Sequence, residues 1–129
     1  QQELDLGYSR YGLMPRLFLI IGEFEPAARE VNSRPWSSES LNDPVKLGEY
    51  LAMNACSECH GMDLEGQGEF TPPLDISRAY TLADFRNLMA TGLGTDGRDL
   101  GLMSVVAENR FSRMTDDEVA ALHGYLVSR

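Results

Sequence analysis

Three observations predict a mainly helical domain for residues 44–129 of this 129-residue chain. Three segments, at about 44–55, 81–91 and 115–126, repeat apolar residues at helical spacing. Each segment begins at or just after a residue that can cap a helix. A pentapeptide with two cysteines and a histidine directly follows the first segment. Residues 1–43 show no comparable pattern, and they are predicted to form an irregular N-terminal extension and linker.

The first predicted helix starts at a proline. Asp43 can serve as its N-cap, and Pro44 suits the first helical position because the N–H group that it lacks would have no acceptor there. The apolar residues on its inner face are Leu47, Leu51 and Ala55. Gly48 lies beside this face, and a glycine inside a helix costs about 1 kcal/mol relative to alanine. We therefore expect another element to approach closely at Gly48.

The last predicted helix begins with a capping box, in which Thr115 and Glu118 each bind the backbone N–H group of the other. Its apolar face consists of Val119, Leu122, Tyr125 and Leu126. Tyr125 is predicted to lie across Gly48, so that the first and last helices cross.

The middle helix is predicted to start at Thr81, to carry Asp84 in its first turn and to end before Gly92. Its inward face is formed by Leu82, Phe85, Leu88 and Met89. These four residues are most simply interpreted as core.

The pentapeptide Cys56-Ser57-Glu58-Cys59-His60 has the pattern C-x-x-C-H, which is typical of covalent c-type haem attachment. The two thiols can add across the haem vinyl groups, and the imidazole can bind the iron on the proximal side. A thioredoxin-like dithiol would require a preceding strand, but the residues before Cys56 are predicted to be helical. A zinc site usually draws on a second Cys/His pair, and the only other histidine is His123. Haem attachment is favoured, and it uses both cysteines.

A glycine-rich loop, residues 61–68, follows the motif, and a stiff segment with two prolines, residues 71–74, comes next. A proline carbonyl, assigned to Pro72, is expected to accept the second ring N–H of His60. Such a bond would orient the imidazole and raise its basicity. The alternative is that the prolines only stiffen the loop.

The second axial position of the iron requires a sulfur or nitrogen donor. The candidates are Met53, Met62, Met89, Met103, Met114 and His123. Met53 and Met62 lie too near the motif in sequence to reach the opposite haem face easily. Met89 and Met114 fit apolar positions on a helix face and before a helix cap. His123 is expected to be solvated or locally hydrogen-bonded. Met103 is preferred, because it is predicted to lie in a loop that can return over the distal face.

The chain carries 20 acidic and 11 basic residues, for a formal charge of −9. This charge argues against nucleic acid as a partner. It favours redox partners with basic docking surfaces, although a solvated acidic surface without a partner is an equal alternative. The longest apolar run, residues 17–21, is far shorter than the roughly 20 residues that span a membrane.

The chain is expected to be a processed form or a fragment, because it has no initiator Met and no signal peptide. Covalent haem attachment implies export, so a periplasmic location is predicted. The apolar stretch 10–22 has three interpretations: packing on the haem domain, a docking surface, or the stub of a membrane anchor. Membrane association or contact within a complex is therefore assigned to residues 1–43. Residues 33–40, which include Trp36, are predicted to form a surface linker.

An ordered series of motifs from residue 44 to 129 resembles bacterial class I monohaem cytochromes c, especially the domains associated with periplasmic dehydrogenases. The matching pieces are Gly48-Glu49-Tyr50-Leu51, Cys56-Ser57-Glu58-Cys59-His60-Gly61, Asp63-Leu64-Glu65-Gly66, the segment 84–92, Asp96-Gly97-Arg98-Asp99-Leu100, Met103 and the segment 114–126. This order is much more specific than C-x-x-C-H alone.

The resemblance implies an all-α class I cytochrome c fold, with three main helices, shorter helices and loops around one covalent haem. It also implies that His60 and Met103 are the axial ligands of the iron. Arg98 becomes a candidate partner of a haem propionate, and the alternative is a surface arginine in a turn. The chain departs from the family in one position near the ligand, because Ser104 stands where many relatives place proline.

The predicted function is single-electron transfer between redox partners in a bacterial respiratory or dehydrogenase chain, without enzyme activity of its own. An alternative is a haem subunit or domain of a larger oxidoreductase, with residues 1–43 as the interface. A gas-binding or peroxidatic haem protein is a third hypothesis, and it requires an open distal position.

Overall fold

The computed structural model describes residue 37 and residues 40–129. In that part of the chain the α-helices are α1 (Pro44–Leu51), α2 (Ser57–His60), α3 (Leu82–Thr91), α4 (Leu102–Asn109) and α5 (Asp116–Ser128). Short 3-10 helices occupy Ser40–Asn42, Leu74–Ala79 and Phe111–Arg113. The same residues contain no strand, only an isolated bridge between Leu93 and Asp99. The predicted all-α fold is confirmed.

The interpretations of the apolar stretch 10–22 and of Trp36 concern residues outside the described part of the chain. The same holds for most of the predicted linker 33–40. Within residues 40–129, no helix has the length and apolar character needed to cross a membrane.

The helical course, meaning the continuous helical segment from Pro44 to His60, is longer than predicted. Asp43 caps it as expected, because its side chain accepts the N–H of Val45 at 2.8 Å. The predicted end at residue 55 is wrong, since a single wide π-type turn, Ala52–Cys56, continues α1 directly into α2. The course ends at His60, where Gly61 takes a positive φ of 83°. The C-x-x-C-H motif therefore lies on the last two turns of one helical segment.

Helices α1 and α5 pack closely at Gly48, as predicted. A Cβ atom on Gly48 would overlap the carbonyl oxygen of Ala121 and would lie 2.7 Å from the Cβ of Tyr125. Gly48 is buried, and the absence of its side chain lets the two backbones approach. The predicted crossing of the first and last helices is confirmed.

Both remaining predicted helices begin as their capping signals indicate. The hydroxyl of Thr81 accepts the N–H of Asp84 at the start of α3. Thr115 and Glu118 form the complete capping box at the start of α5, with the Glu118 carboxylate accepting the Thr115 N–H at 2.7 Å. The side-chain oxygens satisfy N–H groups that have no acceptor within the helix.

The buried side chains of the hydrophobic core come from the wide turn Ala52–Cys56, the loop after α2, α3, α4, the 3-10 helix Phe111–Arg113 and α5. Its buried members are Ala52, Leu64, Phe85, Leu88, Met89, Ala107, Phe111, Val119, Leu122 and Leu126. Leu64 belongs to the loop after α2, and it is fully buried although its φ is 62°. A left-handed conformation costs a leucine about 1–2 kcal/mol, so burial and loop hydrogen bonds must hold it there.

Helix α4 was not predicted, and the placement of Met103 in a loop is wrong. Met103 is the second residue of α4. No side chain caps the start of this helix, where Gly101 has a φ of 65°. A start without a capping side chain leaves no local signal in the sequence.

We predict that Gly48→Ala lowers the free energy of unfolding by about 1–3 kcal/mol, because the added methyl group would overpack the α1–α5 contact. Gly124→Ala is the matched control, since a Cβ at this helical position of α5 meets nothing within 4 Å. The control should raise stability by up to about 1 kcal/mol through helix propensity. Urea unfolding followed by circular dichroism measures both values, and equal effects of the two variants would contradict the close approach at Gly48.

Candidate functional site

The two cysteines lie on neighbouring helical turns. Cys56 ends the wide turn, and Cys59 lies within α2 three positions later. Residues three apart on a helix are surface neighbours, so both thiols lie on one side of the segment. Both are half-buried and free of any disulfide, and Cys56 packs against the hydrophobic core. The arrangement offers two thiols from one short segment to a single ligand edge.

Burial raises the pKa of the Cys56 thiol to about 12, with a smaller contribution from the charge of Cys59. The thiol of Cys56 is therefore protonated at neutral pH in the protein without a ligand. The nucleophilic cysteine of a dithiol oxidoreductase has a lowered pKa instead. This electrostatic setting, together with the helix that precedes Cys56, disfavours the thioredoxin-like alternative.

The imidazole of His60 is held by the carbonyl group of Pro72. His60 is 9 % exposed, and its Nδ1 lies 2.8 Å from the Pro72 oxygen. A carbonyl oxygen only accepts hydrogen bonds, so Nδ1 carries the proton and Nε2 keeps a free lone pair. No hydrogen bond from the described residues engages Nε2. The predicted contact between His60 and Pro72 is present, and it leaves Nε2 able to bind a metal.

The loop between His60 and Pro72 is built on the motif itself. The N–H of Gly66 donates to the carbonyl of His60 at 2.8 Å, and the hydroxyl of Thr71 donates to the carbonyl of Cys59 at 2.6 Å. Gly66 has a φ of 83°, and a Cβ there would lie 2.7 Å from the Pro72 carbonyl carbon. The role of Thr71 was not predicted, because a hydroxyl whose partner is 12 residues away leaves no local signal in the sequence.

The six candidate distal ligands occupy very different environments. Met103 is half-buried and packs against the same core as Cys56. Met89 is 3 % exposed inside the core, whereas Met62 is 48 % exposed on the surface. The remaining methionines, Met53 and Met114, also pack against the core.

His123 has a structural partner far away in sequence. Its Nε2 lies 3.0 Å from the carbonyl oxygen of Tyr80, and its ring centroid is 5.0 Å from that of Phe85. The expectation of a solvated or locally hydrogen-bonded histidine is wrong in its details, because the bond joins α5 to a residue 43 positions earlier. The contact ties down one ring nitrogen of His123.

Arg98 lies in an exposed turn before α4. Its Nε is 3.5 Å from the Oδ2 of Asp96, and both side chains are largely exposed. The backbone N–H of Arg98 also binds the Asp96 side chain at 3.2 Å. This is the geometry of a surface arginine in a turn, and the role of Arg98 toward a propionate stays a prediction.

A zinc site finds no support in the donor set. Within the part of the chain that the structure describes, no three His, Cys, Asp or Glu side chains converge as metal ligands. Two thiols lie on one helical face, beside an imidazole whose Nε2 makes no hydrogen bond with the described residues, and this set instead fits a covalently attached haem.

Comparison with known proteins agrees with this donor set. A family model described as Cytochrome c matches residues 45–129, about two thirds of the chain. No curated protein and no solved structure matches the chain significantly. Proteins of this family bind haem c covalently and typically serve as electron carriers. The chain therefore belongs to the cytochrome c family, and its domain binds a covalent haem c, with iron, for electron transfer.

Proposed function

We propose that the protein is a single-electron carrier whose haem iron is bound by Nε2 of His60 and by the sulfur of Met103. The observation that carries this proposal is the 2.8 Å bond between Nδ1 of His60 and the Pro72 carbonyl. This bond selects the tautomer in which Nε2 can bind iron, and it fixes the plane of the ring. Cys56 and Cys59 are the two attachment points of the haem.

When bound, the haem supplies a one-electron couple between ferric and ferrous iron. The surrounding residues hold the iron ligands and exclude water. The hydrogen bond to Pro72 increases the donor strength of His60, and the thioether of Met103 is a soft, neutral ligand that raises the potential. The apolar core beside Cys56 and Met103 lowers the polarity around the site.

Met103 is the proposed distal ligand, and three of its five competitors are otherwise engaged or badly placed. Met89, a residue of α3, is buried in the hydrophobic core. Met62 lies on the surface, two residues after His60. His123 binds the Tyr80 carbonyl through Nε2. Met103 is half-buried in the first turn of α4 and packs against the same core as Cys56.

Two protein ligands to the iron leave no position for a substrate, so the proposed role is electron transfer without catalysis by this chain alone. We further propose that it serves an exported bacterial respiratory or dehydrogenase chain. Its net charge of −9 favours partners with basic docking surfaces.

The axial ligands can be tested by optical spectroscopy of the haem-loaded protein. We predict a weak far-red ferric band from sulfur ligation and no spectral response of the ferrous protein to carbon monoxide. Met103→Ala should abolish the band and allow carbon monoxide to bind, because the distal position would be open. Met62→Ala is the matched control, and it should leave both properties unchanged.

Ready binding of carbon monoxide by the unmodified protein would contradict the proposal and favour a gas-binding or peroxidatic role. Retention of the far-red band in Met103→Ala would instead assign the distal ligand to another residue.

Surface charge should control the rate of electron exchange. We predict that oxidation of the ferrous protein by a small cationic complex slows several-fold between about 10 and about 200 mM salt, because the screening length shrinks from about 30 Å to below 10 Å. Oxidation by an anionic complex of similar potential should become faster over the same range. Stopped-flow spectroscopy measures both rates. If salt changed the two rates by the same factor in the same direction, the charge of −9 would not act near the haem.

A further inference from the structure

We propose that Ser104 is a positioning residue that holds Met103 ready to bind the iron. The inference rests on the proposed role of Met103 as the distal ligand. Helix α4 has no capping side chain of its own, so another group must hold the first turn, which carries Met103.

Ser104 is buried, with 3 % of its surface exposed, and its hydroxyl group makes two hydrogen bonds. Its Oγ donates to the carbonyl oxygen of Gly92 at 2.6 Å and accepts the backbone N–H of Leu100 at 2.7 Å. A serine hydroxyl has one hydrogen to donate, and that hydrogen is used here. One side chain therefore joins the end of α3, the end of the following loop and the first turn of α4.

The backbones around Ser104 are also in close contact. Gly92 caps the C-terminus of α3 in the left-handed conformation, with a φ of 73°. A Cβ atom on Gly92 would lie 2.7 Å from the Cα of Ser104 and 2.6 Å from its carbonyl oxygen. The close approach explains why the Ser104 hydroxyl reaches the Gly92 carbonyl directly, without an intervening water.

The first turn of a helix is the part that is least supported by its own hydrogen bonds. In α4 the N–H of Val105 reaches the carbonyl of Gly101 at 3.3 Å, a long bond. Met103 lies in this turn, immediately before Ser104. The two short bonds of the Ser104 hydroxyl therefore hold the turn that carries the ligand.

A proline at position 104 could not replace this arrangement. Proline disfavours the helical conformation of the residue before it, which here is Met103. It also has no hydroxyl for Gly92 and Leu100. The serine thus fits a methionine that is held within a helical turn.

Removal of the hydroxyl should make Met103 easier to displace from the iron. Imidazole is a suitable probe, because it competes with the methionine for ferric iron, and loss of the far-red band reports the exchange. We expect Ser104→Ala to bind imidazole about tenfold more tightly than the unmodified protein does. The control is Ser112→Ala, which removes an exposed hydroxyl that donates to the backbone carbonyl oxygen of Glu108 at 2.6 Å. The imidazole affinity of this variant should equal that of the unmodified protein.

A second measurement uses the unmodified protein, so it does not depend on how well a variant folds. The N–H of Leu100 should exchange slowly with solvent deuterium in the ferric protein, because Ser104 accepts it. Saturating imidazole should accelerate this exchange at least tenfold, since displacement of Met103 frees the first turn of α4. The buried amide of Leu122 in α5 should exchange at the same rate in both conditions.

The results separate this inference from the proposed function. An unmodified protein without the far-red band would overturn the role of Met103 itself. If the far-red band is present in the unmodified protein and is lost in Met103→Ala, Met103 is supported as the distal ligand. An imidazole affinity of Ser104→Ala equal to that of the unmodified protein, or a Leu100 exchange rate that imidazole does not change, would then overturn the role of Ser104 alone.

Discussion

The hydrogen bond between His60 and the Pro72 carbonyl is the interaction on which the site depends. It decides which ring nitrogen carries the proton, and so which nitrogen can reach a metal. The loop that delivers this carbonyl is itself fastened to the C-x-x-C-H segment through Thr71 and Gly66. The C-x-x-C-H motif, the imidazole of His60 and the carbonyl group that orients this imidazole therefore form one continuous piece of structure.

The helical scaffold sets the position of this piece within the domain. The motif forms the end of a single helical course that starts at Pro44, and the crossing of α1 with α5 at Gly48 fixes that course against the core. A second close approach, between Gly92 and Ser104, sets α4 against the end of α3. In both places a glycine lets two backbones meet, and the residues of the proposed haem site lie within a few turns of the contact.

Much of the fold could be predicted because its signals are local. Asp43, Thr81 and Thr115 each bind an N–H group two or three residues away, and the starts of these three helices, α1, α3 and α5, were predicted correctly. What could not be predicted depends on distant partners: α4 begins without a cap and is held through Ser104, and His123 binds Tyr80 across 43 residues. The wide turn before Cys56 also has no recognisable pattern. The donors Cys56, Cys59 and His60 follow from the motif, whereas a second iron ligand depends on tertiary structure. The sequence therefore offers six candidates for it, and Met103 stays a proposal.

The loop from His60 to Pro72 has a consequence for the order in which the site assembles. Its key bonds span at most 12 residues, whereas Met103 lies 43 positions after His60. Closing the longer loop costs only about 1 kcal/mol more in chain entropy, but it also requires α3 and α4 to be in place. Contacts between residues close in sequence form early in folding. We therefore expect the proximal half of the site to form before the distal half, which requires α3 and α4.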